Sequence, residues 1–377
     1  MDPKKKFFLF KQSNNFCSVP WNQVKIDTNG TVSTCTFGTE SSGNVGVDAF
    51  DDILKSPKLQ TIRKTLANDQ EHSNCATCLK LEQHSEGYKF FRNYYNSMFL
   101  KKDIDYSDPT AFKLNAIDLH WSSVCNLKCV TCWPGQSSSI AKEEEKPVRH
   151  TSAARADMVI DRLVENQHDL EEIYMSGGEP TLIDHNLRLL KRLDKDINAT
   201  FRINSNFMFD NNNKIIKELI KFKNILFTIS VDGMEDRFNY IRRGASWDRL
   251  LENVSWITNT HAKCRINSVF FVGTADSMID THLFFREKFG ISDFTICQEG
   301  MDHPEIWCRN LPQHIKETVI RDMEDYMSTA DGNINLKGQL LNCLEEIRKP
   351  WERSYVEFFE EVDAKAGTNW REVFPEL

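Results

Sequence analysis

The chain has 377 residues, of which 40% are hydrophobic and 27% charged, so its composition is that of a globular protein with roughly two or three domains. Its net charge of -8 argues against a nucleic-acid backbone as the main partner. No apolar run approaches the ~18 residues of a membrane span, and the apolar residues 7–10 are too few for a signal peptide. Eleven cysteines in such a chain favour metal ligation over disulfides, and we expect a cytoplasmic protein.

Residues 1–108 are predicted to form a separate α+β domain. Residues 21–26 and 31–35 alternate as strands do, and the pair Asn29-Gly30 predicts a hairpin turn with positive φ at both residues. The pair Ser56-Pro57 is typical of a helix start, because a hydroxyl caps the helix and proline fits its first turn.

Residues 109–300 alternate strands and helices, whereas residues 301–377 are predicted to be a helical C-terminal segment. Strands are predicted at residues 116–121, 172–176, 200–204, 225–231, 265–272 and 293–298. Helices are predicted at residues 157–166, 187–193, 214–222, 247–259, 281–289, 313–327, 340–347 and 354–364. Alternating elements imply parallel β/α units, and therefore an α/β sheet or a partial (β/α)6 TIM-like barrel. In such folds the working site lies at the carboxyl ends of the strands.

Three cysteines follow the first of these strands at a spacing that suits an iron–sulfur cluster. Cys125, Cys129 and Cys132 leave three residues and then two residues between them. Three thiolates on one loop hold three irons of a [4Fe–4S] cube, and the fourth iron is then open to a small ligand. Structural zinc is the alternative, although zinc sites usually pair their cysteines and add a fourth ligand.

The cysteine triplet resembles the signature of the radical S-adenosylmethionine (SAM) enzymes, and further motifs of that superfamily follow in order. After the second and third strands come Ser176-Gly177-Gly178-Glu179-Pro180 and Asn204-Ser205-Asn206, and the fourth strand ends in Ser230-Val231-Asp232-Gly233, which is followed by Tyr240-Ile241-Arg242-Arg243-Gly244. The matches cover roughly residues 114–298.

This resemblance implies that the cube binds SAM through its open iron. The SAM-contacting residues it implies are Gly177, Gly178, Glu179, Pro180, Asn206, Ser230, Asp232 and Arg242. The alternatives are a solvated arginine pair at Arg242-Arg243 and a loop-capping role for Asp232. The family's aromatic residue before the third cysteine is replaced by Thr131, so Trp133 is the candidate for stacking on adenine. No catalytic side chain is assigned, and His120 is interpreted as structural.

The first domain is similar to the SPASM and twitch auxiliary-cluster domains. Cys17, Gly30 and Cys35 fit their C-x12-G-x4-C opening, and Cys75 and Cys78 form a later C-x2-C. The resemblance implies one auxiliary [4Fe–4S] cluster on these four cysteines, with zinc as the alternative. His84 and Tyr88 stand where the longer SPASM form has further cysteines, which favours the single-cluster twitch form. Such domains usually follow the radical SAM core, whereas here the domain precedes it, as in twitch-domain proteins of phages and environmental bacteria.

The resemblance implies reductive cleavage of SAM to a 5′-deoxyadenosyl radical, which abstracts hydrogen from a substrate. Relatives with auxiliary clusters mostly modify peptides or proteins, so a peptide or protein side chain is the expected substrate. The alternatives are a small metabolite, nucleotide or sugar as substrate, or a zinc-stabilised binding protein without catalysis. Flavodoxin or ferredoxin is the expected electron donor, and neither membrane nor nucleic acid is an expected partner. Glu299, His303 and Trp307 follow the sixth strand and are interpreted as an ordinary loop.

Overall fold

The computed structural model describes residues 1–83, 90–298, 303–329 and 334–377. His84, Tyr88 and Glu299 lie outside the described residues. The chain divides into two compact units. The first unit comprises Met1–Cys125, Pro134–Asn204 and Asn212–Ile225, and the second comprises Asn126–Trp133, Ser205–Asn211 and Leu226–Leu377.

The first unit contains six strands and ten helices among its described residues. The strands are β1 Gln23–Ile26, β2 Thr31–Ser33, β3 Gly43–Asn44, β4 Ala116–Leu119, β5 Glu172–Met175 and β6 Thr200–Ser205. The helices are α1 Pro3–Lys11, α2 Val19–Asn22, α3 Phe50–Leu54, α4 Pro57–Ala67, α5 Ala76–Gln83, α6 Phe90–Phe99, α7 Ser138–Glu143, α8 Ala153–Glu165, α9 Asp184–Arg192 and α10 Lys214–Leu219. Helix α4 begins as predicted, because the Ser56 side chain accepts a hydrogen bond from the Leu59 amide.

The strands of this unit follow the order β3-β2-β1-β4-β5-β6. Strand β2 is antiparallel to β1 and β3, whereas β1, β4, β5 and β6 pair in parallel. Because side chains alternate between the faces of a sheet, the register separates a polar row from an apolar row. The polar row is Lys25, Asp118, Tyr174 and Arg202, and the apolar row one residue further is Ile26, Leu119, Met175 and Ile203.

The hairpin between β1 and β2 forms, but the prediction for its turn was wrong at Asn29. Only Gly30 of the pair has a positive φ, of +83°. The Gly30 amide donates to the Asp27 carbonyl at 2.8 Å, and the Asn29 side chain accepts from the Thr31 amide at 3.0 Å. One left-handed glycine therefore suffices, as in hairpins that close with a bulge.

The second unit contains three strands and seven helices among its described residues. The strands are β7 Ile225–Ser230, β8 Lys263–Phe270 and β9 Phe294–Gln298, which pair in parallel in that order. The helices are α11 Glu235–Ile241, α12 Trp247–Thr258, α13 Met278–Phe289, α14 Gln313–Thr329, α15 Ile334–Ile347, α16 Val356–Ala366 and α17 Trp370–Val373.

Helix α15 covers the edge of strand β9. The Gln339 side-chain oxygen accepts from the Ile296 amide at 2.6 Å, and its nitrogen donates to the Phe294 carbonyl at 3.3 Å. The side chain therefore satisfies backbone groups that an edge strand would otherwise leave unpaired. Of the helices in the described ranges, none has both the length and the apolar character needed to cross a bilayer.

The α/β class is confirmed. Along the chain, β4 to β9 alternate with helices as in a partial (β/α)6 TIM-like barrel, with an α+β region before them and helices after them. The domain boundaries at residues 108 and 300 stay predictions.

Candidate functional site

Helix α7 holds the first cysteine of the triplet. The Cys125 amide donates to the Ser138 hydroxyl at 3.1 Å, and the Cys125 carbonyl accepts from Ser138 at 3.1 Å and from Ser139 at 2.8 Å. The helix is capped by Ser137, whose side chain accepts from the Ile140 amide. This serine run therefore fixes the backbone of Cys125, although sequence reasoning did not single it out.

The glycines of residues 177–180, which we call the GGEP segment after their sequence, lie against the backbone that leads into Cys125. The Gly178 amide donates to the Ser122 carbonyl at 2.9 Å, and the Glu179 amide donates to the Val124 carbonyl at 2.8 Å. A Cβ on Gly178 would lie 2.2 Å from the Val124 carbonyl oxygen, and one on Gly177 would lie 2.9 Å from that of Ser122. Gly177 also has φ +108°. Both positions therefore require glycine, for close approach and, at Gly177, also for conformation.

Two asparagines, of which Asn186 is buried, hold Pro180 and the residue that follows it. Asn186 donates to the Pro180 carbonyl at 2.9 Å and accepts from the Trp121 indole at 2.8 Å. Asn213 donates to the Thr181 carbonyl at 2.9 Å. Sequence reasoning missed both asparagines, because a single polar residue in a helix or at a helix cap gives no sign of the backbone carbonyl to which it donates.

Glu179 is buried, and one carboxylate oxygen, Oε1, accepts from the Thr181 amide at 3.1 Å and from its hydroxyl at 2.7 Å. Hydrogen bonds from Thr181 therefore orient the carboxylate, as is typical of a preorganised ligand-binding group.

In the second unit, backbone hydrogen bonds join the cysteine loop to the Ile241–Gly244 motif. The Lys128 amide donates to the Arg243 carbonyl at 2.9 Å, and the Val130 amide donates to the Ile241 carbonyl at 2.8 Å. These bonds flank Cys129 and fix its backbone next to the arginine-containing segment.

Arg242 and Asp232 form a buried ion pair, with Nη2 and Oδ2 2.7 Å apart. Asp232 also accepts from the Val269 amide at 2.8 Å. Burial raises the pKa of the Cys129 thiol, and the nearby Arg242 charge opposes that rise. Burial alone would lower the pKa of Arg242, but Asp232 and Cys129 raise it. The alternative that Arg242 belongs to a solvated pair is therefore wrong, because the side chain is buried.

Asn206, which is predicted to contact SAM, binds the cysteine loop itself. Its nitrogen donates to the Asn126 side chain at 2.9 Å, and its oxygen accepts from the Met208 amide at 2.9 Å. Ser230 is buried at the end of β7, whereas the Trp133 side chain is 41% exposed. Trp133 therefore presents an indole surface that a flat ring can stack on.

The four cysteines predicted for the auxiliary site interact with one another electrostatically. Burial, together with the Cys75, Cys35 and Cys78 thiols, raises the pKa of Cys17 well above its usual value. Burial and the neighbouring thiols raise the pKa of Cys75 to about 11 and that of Cys78 to about 12, against the charge of buried Arg92. The four thiols are therefore near enough to one another for their charges to interact.

Hydrogen bonds around these cysteines set their positions. Asn74 donates to the Thr34 hydroxyl at 2.9 Å, which ties the residue before Cys75 to the residue before Cys35. The Ser18 amide and hydroxyl both donate to the Asn96 oxygen at 2.8 Å. Sequence reasoning found the cysteines by spacing but missed these supports.

No three His, Cys, Asp or Glu side chains within the described ranges are placed to hold one metal ion. The cysteines of a [4Fe–4S] cube each bind a different iron, so they need not converge on one point as ligands of zinc do. The donor sets, three thiols on one loop and four thiols in another group, fit two such cubes. Zinc at the auxiliary site stays the alternative prediction.

Two family models match the chain. Residues 119–285 match the radical SAM superfamily, and residues 17–79 match the SPASM model, an iron–sulfur cluster-binding domain. The first range includes Cys125, Cys129 and Cys132, and the second includes all four auxiliary cysteines.

Curated relatives include two GTP 3′,8-cyclases of Clostridium botulinum. The enzyme of strain Okra is 27% identical over 197 residues, and that of strain Hall is 28% identical over 193 residues. Each match covers 49% of this chain and 56% of the relative, so the chain spans little more than half the length of these relatives.

Similar solved structures include native anSMEcpe with bound AdoMet, with 20% identity and a TM-score of 0.42 over 55% of this chain and 59% of that chain. Streptococcus suis SuiB has 17% identity and a TM-score of 0.42 over 82% of this chain and 69% of that chain. On the family matches and the motifs they contain, the chain belongs to the radical SAM superfamily of iron–sulfur enzymes and carries a SPASM-type cluster-binding domain ahead of its radical SAM core.

Proposed function

We propose that this protein reductively cleaves SAM and uses the resulting radical to abstract hydrogen from a substrate. The observation that carries the proposal is the contact of Gly178 with the Val124 carbonyl, directly before Cys125. When bound, a [4Fe–4S] cube with SAM on its open iron supplies one-electron cleavage of the sulfonium C5′–S bond.

In this proposal Cys125, Cys129 and Cys132 hold the cube. The residues proposed to bind SAM are Gly177, Gly178, Glu179, Pro180, Asn206, Ser230, Asp232, Arg242 and Trp133. Gly177 and Gly178 let this segment lie against the backbone that leads into Cys125, and the oriented Glu179 carboxylate is proposed to accept from the ammonium of SAM. Besides binding SAM, Arg242, which is paired with Asp232, is proposed to favour the thiolate of Cys129 through its charge.

The auxiliary cysteines Cys17, Cys35, Cys75 and Cys78 are proposed to hold a second, fully ligated cube. A closed four-thiolate site suits electron transfer, since it leaves no iron for a substrate. Buried Arg92, whose charge opposes the raised pKa of both Cys75 and Cys78, compensates part of the thiolate charge.

A peptide or protein side chain is the first proposed substrate, because auxiliary-cluster enzymes of this superfamily mostly act on such substrates. A nucleotide is the second, since the curated relatives are GTP 3′,8-cyclases. The proposal also takes a flavodoxin or ferredoxin as electron donor.

The test uses anaerobically reconstituted protein with SAM, dithionite and extract from cells grown in heavy water. The extract is divided by size into a small-molecule fraction and a peptide and protein fraction. Mass spectrometry of the released 5′-deoxyadenosine shows which fraction donates deuterium, because an abstracted deuterium raises its mass. Deuterium from the peptide and protein fraction supports a peptide or protein as substrate. Deuterium from the small-molecule fraction supports a nucleotide, and GTP is then tested alone.

Two variants control this experiment. Cys125→Ala should abolish 5′-deoxyadenosine release, whereas Cys264→Ala, a cysteine outside both motifs, should leave it unchanged. Release that survives Cys125→Ala, or its absence from the loaded wild type, would refute the proposed function.

A further inference from the structure

The helical C-terminal part of the second unit encloses a cavity of about 630 Å³. Helices α14 and α15 and the loop between α15 and α16 all contribute to its wall, with Lys316, Ile320, Ile347, Trp351 and Tyr355 among the lining residues. Its described lining residues include none of those proposed to bind SAM or a cluster. Pockets for small molecules usually measure about 300–1,000 Å³, so this cavity has the size of a second ligand site.

Lys316 is a charged residue in the wall of this cavity, and its side chain is only 8% exposed. Among the residues that the structure describes, its ammonium donates to one acceptor, the Lys349 carbonyl, at 3.3 Å. An ammonium has three N–H donors, so two are left for another acceptor. Lys349 also lines the cavity, so this hydrogen bond holds the ammonium at the cavity wall. Burial lowers the pKa of Lys316, as it does for an ammonium whose charge is poorly compensated.

The carboxylates near Lys316 are already paired with other cations. One oxygen of Glu346 pairs with Arg309 and the other with Lys349, each at 2.6 Å. Glu352 pairs with Arg309 at 2.7 Å. The group therefore has three cations and two carboxylates, and the charge left over is that of buried Lys316. A buried charge is costly unless an opposite charge compensates it, which a bound anion would do.

The rest of the cavity wall is largely apolar. Leu311, Ile320 and Ile347 line it, and so does Trp351, whose side chain is 61% exposed. An indole offers a wide flat surface on which another ring can stack. One cation beside an aromatic and aliphatic wall suits a ligand with one charged end and an apolar body.

Hydrogen bonds hold the loop between α15 and α16 in place. The buried Asn310 side chain accepts from the Glu352 amide at 3.0 Å and from the Arg353 amide at 3.1 Å. The Tyr355 hydroxyl donates to the Leu377 carbonyl at 2.9 Å. The wall of the cavity is therefore formed in advance of any ligand, as is usual for small-molecule sites.

We propose that this cavity binds a small aromatic monocarboxylate, with Lys316 donating to the carboxylate and Trp351 stacking on the ring. One surplus positive charge balances one carboxylate, whereas it would leave part of the charge of a phosphate monoester uncompensated. The inference goes beyond the proposed function, because it adds a second small-molecule site on residues that take no part in SAM cleavage.

The first experiment is isothermal titration of the full, cluster-loaded chain without dithionite, so that binding is measured apart from SAM cleavage. The probes are phenylacetate, indole-3-acetate and N-acetylphenylalanine, each beside its uncharged amide, with inorganic phosphate as a further anion. We expect saturable 1:1 binding of at least one carboxylate and at least about 10-fold weaker binding of its amide. Binding of none of the three carboxylates, equal binding of the amides, or tighter binding of phosphate would overturn the proposal.

The second experiment repeats the titration with variants of the cavity wall. Lys316→Met should weaken carboxylate binding at least about 10-fold, because a charge-assisted hydrogen bond is lost. Trp351→Ala should weaken it about fivefold, because the stacking surface is lost. Lys365→Met, which removes an exposed lysine of α16 outside the cavity, should bind as the wild type does. Unchanged affinity in Lys316→Met and Trp351→Ala would refute the assignment.

Urea unfolding separates a binding role of Lys316 from a structural one. Lys316→Met removes the uncompensated charge and keeps an apolar side chain, so without carboxylate its midpoint should equal or exceed that of the wild type. Added carboxylate should raise the midpoint of the wild type and leave that of Lys316→Met unchanged. A lower midpoint in Lys316→Met together with unchanged carboxylate affinity would show a structural lysine and overturn the inference. Should Lys316→Met fail to fold, Trp351→Ala at its exposed position decides, since unchanged affinity there refutes the site.

Discussion

Replacing Gly178 with alanine tests the proposed SAM site at its most crowded point. The added Cβ would lie 2.2 Å from the Val124 carbonyl oxygen and 2.7 Å from two backbone carbons, of Ser123 and Val124. None of these atoms is the end of a flexible side chain, so the backbone itself must move. Since Val124 directly precedes Cys125, the movement reaches a proposed cluster ligand.

The size of the movement follows from the contact distance. Ordinary van der Waals contact with a Cβ begins at 3.4 Å, so the two segments must separate by about 1.2 Å. The Glu179 amide would then lose its 2.8 Å hydrogen bond to the same Val124 carbonyl. A displacement of about 1 Å at a reacting centre costs on the order of 100-fold in rate.

The assay is 5′-deoxyadenosine release under dithionite, together with the SAM dissociation constant and the iron content. We expect Gly178→Ala to stay folded and to release 5′-deoxyadenosine about 100-fold more slowly than the wild type at the same SAM concentration. Gly290→Ala is the control, because that glycine has φ +68° but its added Cβ would meet nothing within 4 Å. Release by Gly178→Ala within threefold of the wild type would refute the proposed close approach.

Three further changes have defined outcomes. Asp232→Asn leaves the buried Arg242 charge unpaired, so urea unfolding should show a loss of about 3–5 kcal/mol in the free energy of unfolding. The control is Arg249→Ala, which removes an exposed ion pair and should cost less than about 0.5 kcal/mol. Equal losses in the two variants would contradict this prediction. Cys78→Ser should lower bound iron from about eight to about four per chain and leave 5′-deoxyadenosine release unchanged. If 5′-deoxyadenosine release were lost together with the iron, the auxiliary site would have a structural role instead. Burial and the charge of Arg286 lower the pKa of His282 from 6.5 to about 4 in the folded chain. As the pH falls, His282 is therefore protonated in the unfolded chain before it is protonated in the folded chain, so stability falls between about pH 6.5 and pH 4. His282→Gln should flatten that loss between pH 7 and pH 5, and an unchanged slope would contradict the assignment.

Much of the fold could be predicted, because local chemistry and tertiary structure agree. Ser56 caps α4 as predicted, and the six predicted strands of the core all form. Helices α1, α2, α3, α7, α11 and α17 were missed, since their few apolar residues give little helical periodicity. The turn at Asn29 was predicted wrongly because the sequence does not show that the Asp27 carbonyl accepts from Gly30.

The candidate site was predicted less completely, for a related reason. Cysteine spacing and paired glycines are properties of one segment, and they can be recognised without knowing what lies nearby. The contacts of Asn186 and Asn74 join segments far apart in the chain, so only the fold brings them together.

The most direct test of this account combines iron analysis with 5′-deoxyadenosine release in the triple variant Cys125→Ala, Cys129→Ala, Cys132→Ala. The reconstituted wild type should hold about eight irons per chain and release 5′-deoxyadenosine under dithionite. The triple variant should keep about four irons, on the auxiliary cysteines, and release none. Undiminished release by the triple variant, or zinc in place of iron at both sites of the wild type, would contradict the account.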